Sequence, residues 1–137
     1  MLLLKITSTG MIALLLLASG VDIFAKHEQK VKVQVGKTAT ESHSKIRVEF
    51  VELIEDSRCP TDTNCVWAGN AKIKIRVTKG GKSQMIELNS GVANKGNSFA
   101  VYEFKIVGLT PEPRSNIRIN RNGYVAVISM TRQAKGS

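Results

Sequence analysis

The fold class is decided by the stretch Ala71-Lys72-Ile73-Lys74-Ile75-Arg76-Val77-Thr78-Lys79-Gly80-Gly81-Lys82-Ser83-Gln84-Met85-Ile86-Glu87-Leu88. From Ala71 to Val77 apolar and basic side chains alternate, which is the period of a half-buried strand. Gly80-Gly81 favours a two-residue hairpin turn with positive φ. Gln84–Leu88 then returns antiparallel to the first strand. The stretch therefore predicts a β-hairpin with one buried face and one cationic face.

The same alternation recurs along the rest of the chain. The further predicted strands are residues 31–35, 46–50, 99–107, 117–119 and 124–130, and the third of these is expected to contain an irregularity around Tyr102. A change of parity after Phe50 predicts a bulge at Phe50-Val51, and Asn122-Gly123 predicts a two-residue turn. Residues 89–97 are rich in Gly, Asn and Ser and predict a surface loop. Residues 109–113 contain two prolines and predict a turn or an edge strand. Since helical periodicity is lacking, the sequence predicts an all-β fold, an antiparallel β-sandwich of about seven strands (Ig-like).

The N-terminus has the features of an export signal. Lys5 precedes an apolar run over residues 11–18, and small residues follow at Gly20 and Ala25. The run is too short to span a bilayer, so residues 1–25 are predicted to be a signal peptide cleaved after Gly20 or Ala25. Val21 stands where a lipoprotein would carry its lipidated cysteine. The expectation is a single domain, residues 26–137, that is periplasmic or extracellular, soluble and without a transmembrane span.

The chain is basic. Its 137 residues include 20 Lys and Arg against 11 Asp and Glu, a net charge of +9. Such a balance favours contact with anionic surfaces, and for an exported protein these are lipid phosphates, wall polyanions or an acidic partner rather than nucleic acid. The candidate cationic face consists of Lys72, Lys74, Arg76, Lys105 and Arg118.

The most specific local feature is the segment around Cys59 and Cys65. They are the only cysteines of the chain, so in an exported protein they predict a disulfide. Pro60 and the turn formers at 62–64 predict a bend between two strands, and Trp67 is expected to bury much of its ring against the disulfide or the neighbouring sheet. The segment is either a structural clamp or a rigid loop presented to a partner. For the second case the candidate binding residues are Arg58, Pro60, Asp62, Asn64 and Trp67.

Catalytic and metal-binding patterns are missing from the sequence. The cysteine spacing is wider than the Cys-x-x-Cys of redox enzymes, and the oxygen-bearing residues 56–64 do not match a calcium loop. His27 and His43 have no Cys or His partner at ligand spacing and are predicted to be exposed. Hydrolase, metalloprotease and phosphate-binding motifs are not found. The sequence therefore predicts no catalytic residues, no metal and no cofactor.

The segment from Asp56 to Gly69, with Asp-Ser-Arg-Cys-Pro and Cys-Val-Trp-Ala-Gly, resembles a group of small exported bacterial proteins of unknown function. The strand 70–77, the run 108–111 and the terminal Gly123-Tyr124-x-Ala126 are similar to that group as well. The resemblance covers most of the mature chain and brings no assigned catalytic residues.

Three function classes follow from these features. The preferred one is a non-catalytic binding module for a protein partner, using loops 59–65, 91–97 and 111–114 on a rigid scaffold. The alternatives are an envelope-associated structural protein that binds anionic polymer or lipid, and an inhibitor of a secreted protease.

Overall fold

The computed structural model describes residues 27–91 and 96–134. The predicted signal peptide, residues 1–25, lies outside the described residues, as do residues 92–95 of the predicted loop and 135–137 at the C-terminus. Eight strands lie in the described part: β1 (Glu28–Gln34), β2 (Thr38–Thr40), β3 (Arg47–Asp56), β4 (Ala71–Lys79), β5 (Lys82–Asn89), β6 (Asn97–Phe99), β7 (Tyr102–Thr110) and β8 (Val125–Arg132).

The strands form two four-stranded antiparallel sheets, which confirms the predicted β-sandwich. One sheet has the order β1-β8-β7-β6 and the other the order β2-β3-β4-β5. Their inner faces supply one hydrophobic core, because alternate side chains of each strand point inward. The largest fully buried side chains include Phe50, Ile73, Ile75, Phe104, Ile128 and Met130.

The β4–β5 hairpin forms as predicted. Lys79 pairs with Lys82 across Gly80-Gly81, and both glycines have positive φ, 57° and 78°. The two-residue turn matches the twist of the flanking strands only in this left-handed conformation. β8 also forms as predicted and is central in its sheet, between β1 and β7. Its Ala126, Ile128 and Met130 are buried in the core, whereas Val125 and Val127 are half-buried.

Two bulges reset the register of β3. In β3 the register shifts between Phe50 and Glu52, which confirms the predicted bulge, and shifts again between Leu53 and Glu55. The second bulge places the side chain of Asp56 opposite Ala71, on the core side of the sheet. A charged residue is thereby brought to the edge of the core at the end of β3.

The predicted strand 99–107 is wrong in its continuity. The chain forms two strands instead, β6 and β7, which pair as a hairpin with Phe99 opposite Tyr102. Ala100 adopts a positive φ of 54° in the turn between them. Glycine or asparagine usually marks such a conformation, so an alanine there gives no sequence signal.

The predicted strand 117–119 is also wrong. Ile117 makes only an isolated bridge with Arg114 and is exposed, and no neighbouring strand pairs with this segment in the described residues. A short 3₁₀ helix, Arg121–Gly123, replaces the predicted Asn122-Gly123 hairpin turn, and the Asn120 side chain caps it by accepting from the backbone of Asn122. Alternating residues without a partner strand therefore form a surface connection between β7 and β8.

Candidate functional site

Two long connections leave the sandwich at the same end. The β3–β4 connection, residues 57–70, contains the two cysteines, and the β7–β8 connection covers residues 111–124. They are joined by hydrogen bonds from Thr61 N to Pro113 O (2.9 Å) and from Ser115 N and Oγ to the carboxylate of Asp62 (3.0 and 2.6 Å). We call this combined surface the loop end.

The predicted disulfide is confirmed. The sulfur atoms of Cys59 and Cys65 are 2.16 Å apart, with a dihedral of 86° and a Cα–Cα distance of 5.9 Å. Inside this ring the backbone N–H of Thr63 donates to Pro60 O (3.1 Å), and outside it Cys59 N donates to Ala68 O (3.3 Å). The covalent ring and these hydrogen bonds restrict the conformations open to the loop.

Arg58 connects the loop to both sheets. Its guanidinium makes a two-point contact with the Asp56 carboxylate, at 2.7 Å from Nε and 2.9 Å from Nη2. Two further donors reach the carbonyls of Leu109 (2.7 Å) and Pro111 (2.9 Å) at the end of β7. Only 16% of the side chain is exposed. Arg58 was a candidate binding residue, but its guanidinium is hydrogen-bonded to other groups of the protein.

Tyr124 completes a network with Asp56 and Arg58. Its hydroxyl donates to Asp56 Oδ2 at 2.8 Å. Burial raises the pKa of Asp56, but hydrogen bonds from Arg58 and Tyr124 outweigh this, and the net effect is a lowered pKa. Burial, followed by the hydrogen bond to the carboxylate, raises the pKa of Tyr124 to about 12. The pKa of Arg58 is raised, chiefly by its hydrogen bonds to Asp56. At neutral pH the network therefore holds one anion, one cation and a neutral phenol.

The predicted burial of Trp67 is wrong. Its side chain is 80% exposed. The end of the core is closed instead by Tyr124, which belongs to the hydrophobic core cluster, and by the Asp56–Arg58 pair. Gly69, two residues after Trp67, has a φ of +70° and lies so close to the Ser57 carbonyl that a Cβ would approach its oxygen to 1.9 Å. The backbone at Gly69 is therefore tightly packed, whereas the ring of Trp67 lies in solvent.

The other candidate binding residues differ in their surroundings. Pro60 is half-buried and Asn64 is exposed. Asp62 is exposed, and its carboxylate accepts hydrogen bonds from the side chain and the backbone N–H of Ser115 in the neighbouring connection. These hydrogen bonds, that of the side chain first, lower the pKa of Asp62. Thus Asn64 and Trp67 are presented to solvent, whereas Arg58 and Asp62 hold the loop in place.

A shallow apolar cleft of about 440 Å³ lies in the β7–β8 connection. Pro111, Ile117 and Ile119 contribute to its lining, and its charged lining residues are Arg114, Arg118 and Glu112. Ile117 is 57% exposed. Sequence reasoning missed this cleft because it assigned Ile117 and Ile119 to a strand. The loop end thus exposes aliphatic side chains in addition to the indole.

The five candidate cationic residues do not form one face. Lys72, Lys74 and Arg76 share the outer face of β4, whereas Lys105 lies on the outer face of the other sheet and Arg118 in the cleft. On β4 each cation lies opposite a glutamate of β3: Glu55, Glu52 and Glu49 respectively. The Lys74–Glu52 and Arg76–Glu49 contacts measure 2.8 and 2.7 Å, and Lys105 is 3.6 Å from Glu103. Alternating charges of this kind neutralise each other across the strands.

Comparison of the chain with protein-family models, with curated proteins and with solved structures found no significant match. The described residues contain no cluster of three or more His, Cys, Asp or Glu arranged to hold a metal ion. No helix among them has the length and apolar character needed to cross a membrane.

Proposed function

We propose that this protein is an exported, non-catalytic binding module that recognises a protein partner with its loop end. The observation that carries the proposal is the exposure of Trp67 on a loop that the protein itself holds in place. An intramolecular disulfide supports export, because such bonds persist in oxidising compartments.

An exposed tryptophan on an ordered loop suits recognition for energetic reasons. Tryptophan is enriched among the residues that dominate interface energies, where removing one costs about 2 kcal/mol or more. Ordering a flexible loop on binding would cost part of that gain. Here the disulfide, the guanidinium of Arg58 and the carboxylate of Asp62 fix the loop before any partner arrives. The binding free energy of the indole is therefore largely retained.

The cleft extends this surface and indicates the character of the partner. Ile117 and Ile119 offer apolar contact, and the charged lining residues Arg114, Arg118 and Glu112 give the cleft a net positive charge. An apolar centre with a charged border is the usual anatomy of a protein interface. The partner surface that fits is apolar with acidic groups at its edge.

Adhesion to anionic polymer or lipid is less well supported. Binding of that kind needs a field of unpaired cations, and the basic residues of β4 face glutamates instead. A protease inhibitor would be one form of the proposed binding module, with the enzyme as the partner.

The test is site-specific photo-crosslinking in the native envelope. A benzophenone amino acid replaces Ile117 or Val66, which is 89% exposed beside Trp67, and the matched control carries it at Met85, which is 47% exposed on the outer face of β5. We expect positions 66 and 117 to yield the same discrete protein adduct and position 85 to lack it. Equal labelling at all three positions, or no protein adduct at 66 and 117, would overturn the proposal.

A further inference from the structure

The two histidines of the chain meet at the end of the sandwich opposite the loop end. His27 immediately precedes β1, and His43 lies in the turn between β2 and β3. The chain contains no other histidine. Their imidazole rings are 6.5 Å apart between centroids, with an angle of 76° between the ring planes. The fold therefore brings together two residues that are sixteen positions apart in sequence.

The spacing is close to that of two imidazoles on one metal ion. With metal–nitrogen bonds of about 2.0–2.1 Å and a tetrahedral angle, the two ring centroids would lie about 5 Å apart. Both residues are exposed, and 78% of the His43 side chain is accessible. Rotation of the His27 side chain can therefore close the remaining distance without disturbing the core or the contact of His43 with Glu41.

The Glu41 carboxylate orients the ring of His43. Glu41 Oε1 lies 3.1 Å from His43 Nδ1, and the other oxygen, Oε2, accepts from Ser44 N (2.5 Å) and Ser44 Oγ (2.7 Å). Glu41 is only 8% exposed. When Nδ1–H donates to a carboxylate, the lone pair of Nε2 stays free, and this is the usual outer-shell arrangement of metal-binding histidines.

The same contacts do not have the connectivity of a hydrolase triad. Ser42 Oγ lies 3.3 Å from His43 Nδ1, the ring nitrogen that also contacts Glu41. A triad needs the carboxylate on one ring nitrogen and the nucleophile on the other. The free Nε2 faces no serine hydroxyl in the described hydrogen bonds, so it is available as a ligand.

We propose that His27 and His43 form a surface site for a divalent transition-metal ion of the imidazole-binding group. Two imidazole nitrogens hold the ion and water fills the remaining positions. Such ligands suit copper, zinc and nickel, and among these divalent ions Cu(II) forms the most stable complexes. The site is therefore expected to bind Cu(II) more tightly than Zn(II). It is independent of the loop end and of the function proposed for it.

The test is titration of the untagged protein with Cu(II), followed by calorimetry and by the EPR spectrum of the bound ion. We expect one Cu(II) per chain with two imidazole nitrogens coordinated. His27→Ala and His43→Ala should each weaken binding by about tenfold or more. Ser42→Ala, in the same exposed turn, is the matched control and should bind as the wild type does.

The His43→Ala variant is decisive because it separates this site from chelation by residues around His27 alone. Both histidines are exposed, so thermal unfolding without metal should be the same for His27→Ala and the wild type, and His43→Ala should stay folded with only the small loss of its contact with Glu41. Wild-type Cu(II) affinity in His43→Ala would overturn the proposal, as would an EPR spectrum with a single imidazole nitrogen. Tighter binding of Zn(II) than of Cu(II) would contradict the expected order of metals.

Discussion

Replacing Arg58 tests how the loop end is held. Arg58→Ala removes a guanidinium that makes two contacts with Asp56 and two with backbone carbonyls. It also leaves the Asp56 carboxylate, which is 9% exposed, without its cation. Removing one partner of a buried ion pair typically costs about 3–5 kcal/mol. Since Tyr124 still donates to this carboxylate, we expect a loss near the lower limit, about 3 kcal/mol.

The matched control is Arg76→Ala on the outer face of β4. The Arg76–Glu49 contact has the same length, 2.7 Å, but the two side chains are 43% and 33% exposed. Exposed pairs contribute only about 0–1 kcal/mol. The assay is equilibrium unfolding in urea, monitored by far-ultraviolet circular dichroism because an exposed Trp67 is a weak reporter of unfolding. An Arg58→Ala loss no larger than that of Arg76→Ala would refute the reasoning.

Two further variants divide the effect of the network. Arg58→Lys keeps the charge but loses the two-point geometry and the carbonyl contacts, so it should lose about 2 kcal/mol. Tyr124→Phe removes only the 2.8 Å hydrogen bond to Asp56 and should lose about 1 kcal/mol. A Tyr124→Phe loss equal to that of Arg58→Ala would mean that the phenol, rather than the cation, stabilises the carboxylate.

Three other substitutions test separate parts of the structure. The double variant Cys59→Ser, Cys65→Ser should still fold and lose about 2 kcal/mol, as expected for so short a loop; global unfolding at room temperature would contradict this. Gly69→Ala should lower the free energy of unfolding by at least about 3 kcal/mol, because its Cβ would meet a carbonyl oxygen. The control Gly36→Ala is also at positive φ but in open space, so it should lower that free energy by only about 1 kcal/mol. Equal losses in the two variants would rule out the predicted clash. Burial raises the pKa of Glu41, but hydrogen bonds from residues of the same turn outweigh burial and lower the pKa from 4.5 to about 2. The stability that the Glu41 carboxylate contributes is therefore present above pH 4.5 and is lost as the pH falls toward 2. Glu41→Gln should flatten acid unfolding in that window, and an unchanged pH profile would show that the carboxylate does not contribute.

Much of the fold was predictable because it follows from short-range pattern. The β4–β5 hairpin combines strict alternation with a Gly80-Gly81 turn, and the parity change at Phe50-Val51 located the first β3 bulge. The turn at Ala100 was missed because its positive φ falls on a residue that does not signal one. The strand expected at Ile117 was wrong because alternation predicts a strand only where a neighbouring strand is free to pair.

The disulfide was predictable at the loop end, but the network beneath it was not. Asp56 and Tyr124 are 68 positions apart and meet only because a second bulge turns Asp56 toward the core, where Tyr124, just before β8 of the facing sheet, reaches it. Their contact with Arg58 closes this end of the core, whereas Trp67, which was expected to be buried, is exposed. The pairing of His27 with His43 depends likewise on tertiary structure. In each case the contact joins residues that are far apart in sequence, so it depends on tertiary packing and not on local sequence pattern.

The proposed recognition surface depends most directly on the accessibility of Trp67, because a partner can bind the indole only if it lies in solvent. Trp67 is the only tryptophan of the chain, so acrylamide quenching of the intrinsic fluorescence reports on this one side chain. Since Trp67 is 80% exposed, we expect its emission maximum and its quenching constant to be close to those of N-acetyltryptophanamide in water. A blue-shifted emission protected from acrylamide would place the indole in the core and contradict the proposed recognition surface.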